Sequence, residues 1–211
     1  MAVLKKKSDG FNGKTGSTIV YELNGQIVRR AVGLVTAEPT ALQLEVRQRT
    51  SLITALLKPV KEFIRIGFKG ATEGTVLSPY NLATSMNRLQ AIKGSYPDLE
   101  IDFTKVVFSK GNLPVNDQVN VAATKYGLEF SWDPALRLPG MKATDQVMVM
   151  AYCPEKRAAF SQLDGARRKD GLELISLPRY RETVLVHTYI TFISSSRASI
   201  SDSFYTGSYL W

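Results

Sequence analysis

DQVMVMAYCPEK (Asp145–Lys156) is the stretch that decides how this chain folds. Val147, Val149 and Ala151 alternate with Met148, Met150 and Tyr152, so a strand here carries apolar side chains on both faces. Such a strand belongs in the middle of a sheet that is covered on both sides. The strand pattern continues outward from it. Upstream, LEFSWDP (Leu128–Pro134) sets Leu128, Phe130 and Trp132 against Glu129 and Ser131 before an Asp133-Pro134 turn, and Val119, Val121 and Ala123 precede it. Ile101, Phe103 and Val107 begin the series. Downstream, Leu172–Leu177, Thr183–Ile193 and Ser199–Leu210 bring the short strands to at least six, the pattern of an antiparallel sandwich.

Before the sandwich the periodicity changes twice. Residues 8–16, SDGFNGKTG, place a glycine at every third position among polar residues and read as a glycine-rich arm. Ser17–Leu23 and Gln26–Val32 flank Asn24-Gly25, whose tolerance of positive φ suits a type I′ turn, so a β-hairpin is predicted. After Pro39, which suits a first helical turn, Leu42, Val46, Ile53, Leu56, Leu57, Val60, Phe63 and Ile64 recur at threes, fours and sevens. That spacing predicts an amphipathic helix with Glu45, Arg47, Gln48 and Arg49 on its other face, kinked at Pro59 and ended near Gly67. A second helix starts at Ser78-Pro79, runs through Leu82, Met86 and Leu89, and stops near Gly94. The predicted fold class is α+β: an N-terminal β-hairpin and arm with a two-helix unit over residues 1–112, then an immunoglobulin- or fibronectin-like antiparallel β-sandwich over residues 113–211.

Composition narrows the function classes. The 211 residues are 44% hydrophobic and 22% charged, the balance of a globular chain. No apolar run approaches the roughly 18 residues that span a bilayer. Met1–Gly10 lacks the apolar stretch of a cleaved secretory signal, so the chain is expected to be made in the cytoplasm and to stay there unless another route exports it, release as part of a particle being one such route. A single cysteine, Cys153, excludes an intrachain disulfide; with a single histidine, His187, it excludes zinc fingers and His-rich metal sites. The net charge of +8 is uneven, since residues 1–75 hold 12 Lys/Arg against 6 Asp/Glu while residues 76–211 hold 15 against 13. The basic N-terminal third attracts polyanions or acidic surfaces, although no series of aromatics interleaves its cations as a stacking platform.

Two resemblances bear on this reading. Val119 to Ser203 resembles a fibronectin type III or related immunoglobulin-like module: LEFSWDP is similar to that family's second strand with its core tryptophan, and DQVMVMAYCPEK to its third, where a Tyr ends the apolar alternation. The whole chain is similar to an uncharacterised family of Bacteroidota proteins of about 210 residues, a domain of unknown function. GKTG (Gly13–Gly16), NGQIVRRA (Asn24–Ala31), SPYNLATSMN (Ser78–Asn87), IKGSYPDLEIDFTKVVFSKG (Ile92–Gly111) and SISDSFYTG (Ser199–Gly207) carry this resemblance. It implies a fold shared over nearly the full length and brings no activity, cofactor or catalytic residue. The loop after Trp132, DPALRLPGMKATD, departs from a family position that is usually more polar and glycine-rich, so no conformation carries over there.

The candidate chemical groups each have a plain structural reading. Gly13-Lys14-Thr15 lacks the glycine that a phosphate-binding loop places five positions before its Gly-Lys pair, Ser8 standing there instead. Asp98, Glu100 and Asp102 share one face if their segment is a strand, a spacing that suits calcium or an acid/base pair; an exposed strand face explains them equally. His187 groups with Leu185, Tyr189, Thr191 and Ile193, and neither it nor Cys153 has a partner at catalytic spacing. Arg167-Arg168-Lys169 crowns a loop, either solvated or contacting phosphate. Tyr205, Tyr209 and Trp211 end the chain with aromatics that pack on their own domain or against another subunit.

No catalytic, cofactor-binding or metal-ligating residue is assigned, and no cofactor is expected. The expected function is that of a non-enzymatic structural or assembly protein, a homo-oligomer or repeated subunit of a particle, filament or phage-tail-like assembly, joined by strand addition. Its expected contact residues are Lys5, Lys6, Lys7, Phe11, Arg29, Arg30, Tyr209 and Trp211. A nucleic-acid or polyanion-binding module using the basic N-terminal third is the alternative, and a glycan-active enzyme working through Asp98–Asp102 is a third reading.

Overall fold

The computed structural model describes the backbone of residues 2–3 and all of residues 12–34 and 36–211. Contacts divide the chain into two units, Met1–Thr40 and Ala41–Trp211. The first holds a four-stranded antiparallel sheet of β1 (Ala2–Val3), β2 (Gly13–Thr15), β3 (Thr18–Leu23) and β4 (Gln26–Ala31), in the order β1-β4-β3-β2. The predicted hairpin is its centre. Leu23 pairs with Gln26, and Asn24 and Gly25 take φ of 50° and 75°, the positive values that a two-residue type I′ connection requires. Part of the expected arm is also ordered as strand, because a second tight turn at Gly16 brings Thr15 opposite Thr18.

The second unit begins with helices. α1 (Ala41–Leu57) is followed by a 3-10 turn at Lys58–Val60, α2 (Lys61–Gly67), the short α3 (Lys69–Thr72) and α4 (Pro79–Gln90). The break falls at Pro59, as its missing amide donor demands. Pro39 lies just ahead of α1 instead of inside its first turn. Ser78 caps α4 by accepting from the Asn81 amide at 3.2 Å, with Pro79 as first helical residue. Gly67 is required where α2 meets the following chain, since a Cβ there would collide with the Phe108 carbonyl oxygen. The periodicity overstates how much of each helix is covered. Leu42, Val46 and Leu89 were expected on buried faces, yet they are 74%, 54% and 79% exposed, and Ile53, Leu56 and Leu57 of α1 with Ala83 and Asn87 of α4 supply the buried positions.

Between helices and sandwich the expected strand around Ile101–Val107 is replaced. β5 (Ile92–Lys93) pairs with β6 (Glu100–Ile101) for two residues, and Phe103–Lys105 then forms a 3-10 turn capped by Asp102.

The sandwich comprises β7 (Val119–Ala123), β8 (Gly127–Trp132), β9 (Gln146–Cys153), β10 (Ala158–Gln162), β11 (Leu172–Ser176), β12 (Leu185–Ile193) and β13 (Phe204–Leu210). One antiparallel sheet has the order β10-β9-β12-β13, the other β11-β8-β7. β10 escapes the sequence pattern because Ala158, Ser161 and Gln162 have little strand character; pairing with β9 across the Pro154–Arg157 turn makes it a strand.

β9 is central and covered on both faces. Val147, Val149, Ala151 and Cys153 join Leu128, Phe130, Trp132, Ile190 and Phe192 in the core between the sheets. Met148, Met150 and Tyr152 face the other way, where they share a second core with Ile53, Leu56, Phe63, Ile64 and Phe68 of the helical segment and with Tyr189. The unit is therefore three layers: helices, four-stranded sheet, three-stranded sheet. A boundary at 112/113 would cut through that second core, which is why the helices belong with the sandwich and the division falls at 40/41. At about 1.5–3 kcal/mol for each large apolar side chain fully removed from water, these two cores dominate the unit's stability.

Candidate functional site

The groups singled out in the sequence fall into four settings. The three carboxylates do not share a face. Asp98 sits in the turn after β5, Glu100 is exposed on β6 and meets Lys93 at 3.5 Å, and Asp102 caps the 3-10 turn. The Thr104 hydroxyl, donating at 2.6 Å, holds the Asp102 carboxyl below the usual carboxylate range. Among the described residues no group of three or more His, Cys, Asp or Glu could hold a metal ion. Gly13-Lys14-Thr15 is strand β2, and Cys153 is buried in the sandwich core.

His187 is 8% exposed on the helix-facing side of β12. Its ring stacks on Phe103 at 3.8 Å with an interplanar angle of 12°, and its Nδ1 lies 3.0 Å from the Tyr205 hydroxyl. Burial without a facing carboxylate pushes its pKa down to about 4, so the ring is neutral at pH 7. Tyr189, beside it, donates to the Phe103 carbonyl oxygen at 2.7 Å, and burial raises the pKa of its hydroxyl and that of Tyr152. This cluster fastens the Phe103–Lys105 turn to the sheet.

The Arg167-Arg168-Lys169 loop departs most from expectation, because Arg168 is only 1% exposed. Its guanidinium lies 3.7 Å over the Phe192 ring, donates to the Asn116 Oδ1 and to the Pro114 carbonyl oxygen, and pairs with Asp145 at 3.6 Å. Trp132 in turn donates its indole N–H to the Arg168 carbonyl oxygen at 2.8 Å. These partners lie far apart in sequence, and no local signal joins them. Desolvation lowers the pKa of Arg168, an effect the Asp145 charge opposes. A cation enclosed in this way organises the end of the sandwich and is unavailable to phosphate.

Of the expected contact residues, Lys5, Lys6, Lys7 and Phe11 lie outside the described residues. Tyr209 and Trp211 are engaged within their own sandwich: the Tyr209 hydroxyl donates to the Thr206 carbonyl oxygen at 3.0 Å, and the Trp211 indole to that of Pro178 at 2.7 Å. Reciprocal backbone bonds between Trp211 and Val184 hold the chain end in place. Arg29 and Arg30 are both exposed on β4, but as neighbours on a strand they point to opposite faces. Arg30 lies 5.9 Å from the Tyr21 ring on one face. On the other, Arg29 reaches the Thr18 hydroxyl at 3.5 Å.

That leaves the N-terminal sheet as the element whose surface is least used. On one face Ile19, Tyr21, Leu23 and Val28 come together, and on the other Val20 and Ile27, yet Val28 alone among residues 12–34 is buried and Leu23 is 51% exposed. β2, beside β3, is three residues long and pairs with Thr18–Val20 alone.

The described part of the molecule is thus a seven-stranded antiparallel sandwich backed by helices, preceded by a small sheet with both faces lightly covered. The chain belongs to a family of unknown function, DUF6266, whose model matches residues 10–207. No curated protein and no solved structure matches it.

Proposed function

We propose that the protein is a non-enzymatic structural or assembly subunit that works through protein–protein contacts, with the N-terminal sheet as the part that joins a neighbouring copy. The observation that carries this reading is the hairpin's deficit of cover: β3 and β4 bear apolar side chains on both faces, yet only Val28 among residues 12–34 is buried. A β-hairpin is marginally stable at best without further cover, so packing these apolar side chains on a neighbour would stabilise it. β2 pairs only with Thr18–Val20, so among the described residues the Tyr21–Leu23 end of that edge of β3 leaves backbone donors and acceptors suited to strand addition. The three-plus-four division of the sandwich supports the immunoglobulin-like reading, a scaffold widely used for binding. Dispersal of Asp98, Glu100 and Asp102 favours this proposal over glycan hydrolysis, and the opposed directions of Arg29 and Arg30 favour it over a polyanion site.

Light scattering after size-exclusion chromatography tests the proposal on the full chain and on Tyr21→Glu/Val28→Glu. An oligomer that the double substitution converts to a folded monomer is the expected result. A chain that is monomeric at every concentration, or an oligomer indifferent to the substitutions, would overturn it.

A further inference from the structure

A groove of ≈ 900 Å³ runs along α1 from Val46 to Pro59 and meets the β9–β10 turn at Arg157. Its wall is built from small side chains, Thr50, Ser51, Thr54 and Ala55, and every charged residue that lines it, Arg47, Lys58 and Arg157, is a cation. None of the three belongs to an ion pair among the described residues, whereas Glu45 and Arg49 on the same helix neutralise each other at 2.9 Å. Arg157 is held at a φ of 47°, the left-handed region where glycine would sit without strain. The turn keeps an arginine there, at the lip of the groove.

We propose that this groove binds an extended acidic peptide segment of another protein. Charge complementarity selects the occupant, because unpaired cations along an otherwise apolar and hydroxyl-bearing wall favour carboxylates beside small apolar side chains. The dimensions agree. Val46 to Lys58 spans about 18 Å of helix at about 1.5 Å per residue, a length matched by roughly five or six residues of extended chain at about 3.3 Å each. A second copy placed face to face would oppose the same cations. Residues 1–40 do not complement it either, carrying six Lys/Arg against three Asp/Glu. Single-stranded nucleic acid lacks its usual platform here, since no aromatic side chain lines the groove. The site shares no residue with the N-terminal sheet, so it stands or falls apart from the proposed assembly role.

The test is an amide-resolved NMR titration of the full chain with a capped six-residue peptide of alternating Glu and Val, against a Lys/Val control and a twelve-residue oligothymidylate. Chemical-shift changes confined to Val46–Pro59 and the Pro154–Arg157 turn are expected with the acidic peptide alone. Binding should weaken at least tenfold in Arg47→Glu/Lys58→Glu/Arg157→Glu, whose sites are all exposed. Thr54→Trp, which fills the groove without altering charge, should also abolish it and serves if the charge variant does not fold. Equal binding of both peptides, shifts elsewhere, affinity unchanged in the variants, or tighter binding of the oligothymidylate at the groove would each overturn the proposal.

Discussion

The β9–β12 pair and the β3–β4 hairpin are both antiparallel, both in unbroken local register over most of their length, and they differ in what covers them. Along β9 and β12 every residue except Gln146 and Leu185 is buried, while along the hairpin only Val28 is. The hairpin owes its register to Asn24-Gly25, a local device that works without a core. The central pair owes its stability to two cores at once. Turn chemistry therefore specifies pairing, whereas cover depends on what lies above and below the sheet. The β9–β12 pair is covered on both faces, and the β3–β4 hairpin is barely covered on either.

The strongest way to break that contrast is to remove the largest side chain of the core between the sheets, which packs against the covered pair from β8. Trp132 is 5% exposed, meets Phe192 edge-on at 5.5 Å and donates to Arg168. Trp132→Ala should destabilise the second unit by about 3–5 kcal/mol, read as a lower denaturant midpoint in urea unfolding. A midpoint unchanged from the wild type would mean that the strand does not carry the core.

Acid offers a second way, acting where the helices meet the sheet. His187 has a folded-state pKa of about 4, below the ordinary value of 6.5, so the unfolded chain binds the extra proton between those pH values. Stability is therefore full above about pH 6.5, falls as the pH drops toward 4, and loses up to about 3 kcal/mol through this group. Below pH 4 the folded ring is protonated as well and the loss levels off. His187→Phe should remove that part of the pH dependence, leaving the loss from Asp102, whose lowered pKa places it at more acid pH. Melting temperatures of the two proteins from pH 7 to pH 4.5 test this, and parallel curves would exclude His187 as the source.

Much of this architecture was readable beforehand, and the reasons are local. The two-faced alternation of Val147–Tyr152, the Asn24-Gly25 turn, the break at Pro59 and the Ser78-Pro79 cap each depend on residues within a few positions of one another. The misreadings depend on distant ones. β10 is made by its partner strand, Arg168 is buried by Pro114, Asn116, Asp145 and Phe192, and Asp102 leaves the supposed strand face because Phe103–Lys105 closes into a turn. The groove along α1 was equally hidden, since Arg157 reaches it from a hairpin about a hundred residues downstream.

Asn87 shows how a single polar side chain ties a helix to the chain that follows the Phe103–Lys105 turn, and gives a smaller test. Fully buried on α4, it donates to the carbonyl oxygens of Ala83 at 2.9 Å and Val107 at 2.8 Å, and accepts from the Val107 amide at 2.8 Å. Asn87→Ala leaves both polar groups of the Val107 backbone without this partner, so a loss of about 2 kcal/mol is expected. Hydrogen exchange should localise the effect, with the Val107 amide losing protection before the amides of β9.

The smallest effect is expected where helical spacing promises burial that the fold does not supply. Leu56 and Leu89 fall on the apolar periodicity of their helices, but Leu56 is 2% exposed in the core beneath α1 and Leu89 is 79% exposed on α4. Leu and Gln have similar helix propensity, so replacing Leu by Gln isolates burial from backbone preference. Leu89→Gln should change the stability of the isolated chain by no more than about 0.5 kcal/mol, the usual range for an exposed site. Leu56→Gln places an amide in an apolar core without a designed partner and should cost several times more. Urea unfolding at low protein concentration measures both. A Leu89→Gln loss approaching that of Leu56→Gln would mean that α4 is covered in solution, and if the loss grew with protein concentration, the cover would be a second copy of the chain.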